Sequence, residues 1–178
     1  MHWEEFKEMF TAELVSITGG IAAGTLLAFS TNKLELIPGL FILMPGFLAL
    51  RGSIAASLAA RISSALHRHH HSAEHENSSF GKQNVHASFL LAIVGSLVLG
   101  LVAYLGTRLA FHINAPALIF VAVMAAFISN IILVPITFLS TIWLYKHGYD
   151  PDNIMGPYIT TIGDIISIVS LLIAVSIL

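Results

Sequence analysis

The chain has 178 residues, of which 56% are hydrophobic and 10% charged, with a net charge of −2 and a mean hydropathy of +0.85. Soluble domains carry roughly 25% charged residues, so a water-soluble fold is excluded and an integral membrane protein is expected. Near-neutral charge gives no reason to expect nucleic acid or bulk attraction to anionic lipid, and with no cysteine the chain holds no disulfide or thiolate metal site.

The N-terminal stretch Met1-His2-Trp3-Glu4-Glu5-Phe6-Lys7-Glu8 is acidic and amphipathic rather than a basic leader. It reads as an interfacial turn before the first span, which hydropathy places at residues 14–29 with Gly19, Gly20 and Gly24 inside it. A polar link follows, then a long second segment at 36–66. Pro38, Pro45, Gly46 and Gly52 predict that this second helix is broken in its first half. Residues 67–83 form a His-rich polar loop that cannot lie in lipid. The third span is expected at 85–111, with Pro116 in the turn after it. The fourth is expected at 117–145 with Pro135 inside, and the fifth at 156–178. Residues 1–178 are therefore expected to form one all-α integral membrane domain of five transmembrane helices.

Lysine and arginine near the span ends give the orientation. Lys7, Arg68, Lys82 and Lys146 fall on one side, Lys33 and Arg108 on the other. The expected arrangement is a multi-pass cell-membrane protein with its N-terminus in the cytoplasm and its C-terminus outside.

Within the fifth span Asp164 stands alone as a carboxylate among apolar and small polar residues. A charge at that depth costs a few kcal/mol even on lenient scales, so it faces a cavity, a partner or an ion. Thr160, Asp164 and Ser167 share one helical face. A carboxylate beside a hydroxyl suits a hard cation such as Mg²⁺, which keeps much of its water. The competing reading is structural: Asp164 bridges to a neighbouring helix through Arg51 or Arg61. In the second span, Ser53, Ser57, Ala60 and Ser64 line one stripe, which serves close helix packing or a wet path. Carbonyls freed by a helix break there are good ligands for hard cations. Asn130, Thr137 and Thr141 on the fourth span read as interhelical hydrogen bonds.

The loop residues His69, His70, His71 and His75, with Glu74 and Glu76, are a secondary candidate for Zn²⁺, Ni²⁺ or Cu²⁺. No spacing among them fixes a tetrahedral geometry, so a solvated loop is the simpler reading. Enzyme readings fail on the residues. An intramembrane aspartyl protease needs a second membrane carboxylate, a zincin helix needs His-Glu-x-x-His, and no glycine-rich phosphate loop supports ATP use.

Two stretches carry a family resemblance. Leu50-Arg51-Gly52-Ser53-Ile54-Ala55-Ala56-Ser57-Leu58-Ala59-Ala60-Arg61-Ile62-Ser63-Ser64 resembles the Gly-Asn-containing second helix of MgtE magnesium channels and solute carrier family 41 magnesium transporters. Asp150-Pro151-Asp152-Asn153, with Pro157, Thr160, Thr161 and Asp164 after it, resembles that family's Asp-Pro-Asp-Asn signature in the fifth helix. The resemblance implies permeation of divalent cations, chiefly Mg²⁺, as the transported ion. It implies Asp164 as the pore carboxylate, Thr160 and Thr161 as its hydroxyl pair, and Asp150 and Asp152 as acids at the inner mouth. The family's Asn falls on Ser53, which removes an amide ligand. The cytoplasmic sensor domains of MgtE have no counterpart in this sequence.

Solute carrier members hold two such units and this chain has one. The resemblance thus implies a homodimer in the lipid bilayer, with the path near the twofold axis. Two Asp164 carboxylates would face each other there, their repulsion relieved by the cation. Two alternatives stay open. One is Na⁺- or H⁺-coupled exchange; the other is a non-conducting metal-sensing or assembly subunit working through the histidine loop.

Overall fold

In a computed structural model of the protein, residues 3–68 and 79–178 are described. They form α1 (Trp3–Phe29), a single-turn α2 (Thr31–Leu34), α3 (Leu40–Arg68), α4 (Ser79–Phe111), α5 (Ala117–Lys146) and α6 (Pro151–Ser176). Five of the six are long and apolar enough to cross a membrane. In lipid every backbone amide and carbonyl must be satisfied within the segment, which is why an apolar chain of this kind becomes helix throughout.

The helix boundaries follow local chemistry. Asp150 caps α6, its Oδ1 accepting from the Asp152 amide at 3.0 Å, and Pro151 occupies the first turn where its missing N–H costs nothing. At the end of α5, Gly148 takes φ +80°. Its amide donates to the Tyr145 carbonyl and the Tyr149 amide to the Leu144 carbonyl, both at 3.1 Å. Those two bonds are a Schellman stop, which uses the left-handed conformation glycine adopts freely. They set the short turn that delivers Asp150 to the start of α6.

The second segment bends at only the first of the places the sequence suggests. α3 is continuous helix through Pro45, Gly46 and Gly52, so the interruption expected in the first half of residues 36–66 falls only at its start, around Pro38. The chain turns there, between α2 and Leu40, where Gly39 takes φ +85° and lies against Thr107 and Leu118. A β-carbon at Gly39 would come within 2.9 Å of Leu118 Cδ1, so both conformation and space require glycine. Pro45 still removes the amide that would serve the Phe41 carbonyl, but a transmembrane helix absorbs that loss without opening. The N-terminal residues from Trp3 onward are helix rather than an interfacial turn, and α4 starts at Ser79, ahead of the expected 85. Both helices continue past the apolar runs because backbone hydrogen bonding does not stop where hydropathy falls.

α3 and α5 form the centre: α3 packs against α4, α5 and α6, and α5 against α4 and α6. α1 packs on α6 and lightly on α2. Leu40, Leu43, Phe47, Leu118, Val121 and Leu171 are fully enclosed in the main apolar cluster. Small residues allow the close approaches. Leu50 lies over Gly95 and Leu99 over Gly46 between α3 and α4, and Leu133 faces Gly163 between α5 and α6. At Gly100 a β-carbon would sit 2.9 Å from the Ile119 Cα, so α4 and α5 touch nearly backbone to backbone. Outward, α4 exposes Leu90, Leu91, Val94, Leu97 and Val98, as a lipid-facing helix does.

Candidate ion site

Asp164 lies near the middle of α6 and is half-buried. Among the described residues no hydrogen bond or ion pair engages its carboxylate. The structural reading offered Arg51 and Arg61 as candidate partners. Arg51 instead donates from Nη2 to Asn130 Oδ1 across the α3–α5 contact, and Arg61 is exposed without a hydrogen bond or ion pair. The salt bridge that would have made Asp164 structural is therefore not formed.

Thr160, one turn before Asp164 on the same face, is exposed, and its hydroxyl donates to the Gly156 carbonyl at 2.8 Å. Its oxygen lone pairs remain available as acceptors. Thr161 points elsewhere. It is 9% exposed and faces α1, its Oγ1 2.9 Å from Ser16 Oγ and 3.0 Å from the Pro157 carbonyl. Asp150 spends one oxygen on the helix cap, and Asp152 is exposed in the first turn of α6. Asn153 reaches back to α1, Nδ2 donating to Glu8 Oε2 at 3.5 Å. A cavity of about 450 Å³ opens beside that contact, lined by Lys7, Glu8, Thr11, Tyr149 and Tyr158. Ser53 is exposed on α3 and donates to the Leu50 carbonyl at 3.0 Å.

Within the chain these residues do not close into a cage. Among the described residues no three His, Asp or Glu side chains come together as a metal site. Asp164 and Thr160 share a face, Thr161 is turned to α1, and Asp150 and Asp152 sit at the helix start. Ser53, Ala60 and Ser64 lie on the exposed side of α3, with Ser57 half-buried, so the predicted stripe is present and unused by packing inside the protomer. His69, His70, His71 and His75 lie outside the described residues.

Arg51 is the residue whose role the sequence concealed. It is 1% exposed, in the middle of the bundle, and its Nε and Nη1 have no hydrogen-bond partner. Asn130 Nδ2 and Ser167 Oγ are buried and unpartnered too. The pairings Leu50–Gly95 and Leu133–Gly163 put Arg51, Asn130 and Ser167 at one level of the bundle, about a turn from Asp164. Asn130 thus makes the interhelical bond expected of it. Thr137 and Thr141 do not: their hydroxyls donate to Leu133 and Thr137 carbonyls of their own helix, both at 2.7 Å. A hydroxyl without a partner across the interface satisfies itself on the i−4 carbonyl.

A model of the MgtE divalent cation transporter family matches residues 44–174, which takes in α4, α5, nearly all of α3 and most of α6. The chain belongs to that family. No curated protein and no solved structure matches it. MgtE is a transporter family and not a class of enzymes, and the match takes in four of the five apolar helices. The match begins at Met44, so α1 lies outside the part that defines the family even though α1 supplies the partner of Thr161.

Proposed function

We propose that the protein moves Mg²⁺ across the cell membrane as a homodimer, with Asp164 as the carboxylate that holds the ion midway. The observation that carries this reading is the state of Asp164: a carboxylate in a transmembrane helix, half-open, with no bond to any described residue. Charges in membrane segments pair or serve a path, and the paired option is not taken. Mg²⁺ is bound by one or two carboxylates while keeping several waters. One Asp164 from each protomer supplies that number, and the Thr160 oxygens lie a turn away.

Several features support the details. Ser53, exposed on α3, gives a small residue against which a second copy can pack closely. A serine hydroxyl in place of the family's amide contacts a water of the hydrated ion rather than the metal, consistent with a partly hydrated passage. Asp150 and Asp152 collect cations at the mouth on the side that Lys7, Arg68, Lys82 and Lys146 mark as cytoplasmic.

Purified protein in liposomes, loaded with a Mg²⁺ indicator, tests the function directly. Uptake is expected with wild type and is lost with Asp164→Asn. Opposing Na⁺ and pH gradients separate a channel, which ignores them, from an exchanger, which follows them. No flux under any gradient, from protein that is folded and dimeric, would favour the non-conducting subunit instead.

A further inference from the structure

Two grooves between α3 and α4 are lined by residues of those two helices alone and share Ser57 and Arg61, so they form one continuous slot. The section nearer the end of α3, about 420 Å³, is polar and cationic, with Arg61, Ser64, Arg68 and Asn84 in its wall. The section running deeper, about 370 Å³, is walled by Ile54, Leu90, Leu91 and Val94. Among the described residues no acidic side chain lines either part.

Among the described residues neither guanidinium group has an acidic partner: Arg61 makes no hydrogen bond or ion pair there, and Arg68 donates from Nε to the Ser64 carbonyl at 3.2 Å, its terminal nitrogens bonded to no described residue. Seven residues separate them, roughly 10 Å along the helix. Arg61 therefore lies below the polar end of the slot, where an unpaired cation in a membrane span is expensive. Its long stem lets the head rise toward the interface, and an anion held there would satisfy it.

We infer that this slot binds an anionic phospholipid: the phosphate sits between Arg61 and Arg68, and an acyl chain runs along Leu90, Leu91 and Val94. The guanidinium fork matches phosphate oxygens geometrically. Ser64 and Asn84 flank the headgroup position, and the apolar section continues inward from it as a lipid tail does. Free phosphate would use the cationic end and leave the apolar section empty. The net charge of the chain hides this patch because Arg61 and Arg68 are balanced by acids elsewhere. The inference stands independently of which ion is transported.

The test is lipid retention by the full-length purified protein. Phosphatidylglycerol and phosphatidylcholine with identical chains are offered in detergent, and bound lipid is counted by native mass spectrometry alongside melting curves. Phosphatidylglycerol is expected to stay bound and raise Tm, and phosphatidylcholine to do neither. Arg61→Gln and Arg68→Gln should each weaken phosphatidylglycerol binding about fivefold, the effect of one basic residue at an anionic surface. Arg61→Lys, which keeps the charge, should retain the preference and guards against a folding artefact. Leu91→Trp, which fills the apolar section, should weaken binding without altering charge, and Lys33→Gln at the far end should do nothing. Equal retention of both lipids, or wild-type retention by the Arg61→Gln/Arg68→Gln double variant, would overturn the assignment. So would displacement by millimolar inorganic phosphate, or efficient disulfide formation between copies at Ser57→Cys, which would put a second protomer in the slot.

Discussion

Arg51 and Asp164 are charged residues at neighbouring levels of the same bundle, and the fold treats them in opposite ways. Arg51 is sealed at 1% exposure and bonded across helices to Asn130, while Asp164 is half-open and bonded to no described residue. The contrast separates two uses of an expensive charge in a membrane. A closed, hydrogen-bonded charge fixes how helices sit against each other. An open, unbonded one leaves its helices unconstrained and its carboxylate accessible.

The sharpest way to break this contrast is to neutralise both residues and compare losses. Asp164→Asn should cut Mg²⁺ flux more than about tenfold, which is about 1.4 kcal/mol in rate terms. It should leave the metal-free melting temperature at or above wild type, and the Mg²⁺-dependent rise in Tm should vanish, since that rise reports binding to the native state. A variant that melts far below wild type without metal, yet still gains stability from Mg²⁺, would make Asp164 the structural charge. Arg51→Ala should do the reverse. Removing a large buried side chain and orphaning Asn130 Oδ1 should cost about 2–5 kcal/mol, read in detergent melts.

A gentler comparison follows from the pairing. Arg51→Met alone leaves Asn130 buried without its donor and should cost about 1–3 kcal/mol. Adding Asn130→Leu removes the orphan and should recover most of that loss, because apolar replacement of a buried polar pair is often neutral or better. Failure of the second change to rescue the first would mean Arg51 serves more than Asn130. Thr160→Val, which keeps shape but deletes the hydroxyl beside Asp164, should lower flux only a few-fold and leave Tm unchanged. Smallest of all, serine at His69, His70, His71 and His75 should leave Mg²⁺ flux essentially unaltered. Complete loss there, with protein still in the membrane, would move the ion site to the loop.

The five spans were legible because a bilayer imposes length and apolarity on any helix that crosses it. Asp164 was legible for the same reason, as the exception inside an apolar run. What hydropathy could not give was the inside of the bundle. It counts Arg51 as a polar interruption suited to a helix end, while packing against α5 encloses it. Pro45 looked like a break because proline ends helices in water. In lipid the cost of exposing more backbone keeps the helix closed, and the bend falls at Pro38-Gly39, a turn-forming pair and the first of the interruptions the sequence offers. Thr160 and Thr161 are adjacent in sequence but a helical step of about 100° apart, so one opens outward with Asp164 and the other meets Ser16. The lipid slot depends on the register of α3 against α4, which Gly46 and Gly95 set by contact with Leu99 and Leu50.

The attachment of α1 has a consequence for how the molecule is made. Its contacts are with α6 and the short α2, and the bond between Ser16 and Thr161 joins residues 145 apart in sequence. During synthesis α1 enters the bilayer ahead of α3, α4 and α5 and spends their production among lipids, before its long-range partner α6 is available. Only when α6 emerges does α1 find its seat, and the same event sets the helix that carries Asp164. Capture of α1 and placement of the helix that carries Asp164 are thus a single late step, so a nascent chain halted before α6 leaves a stranded helix to membrane quality control.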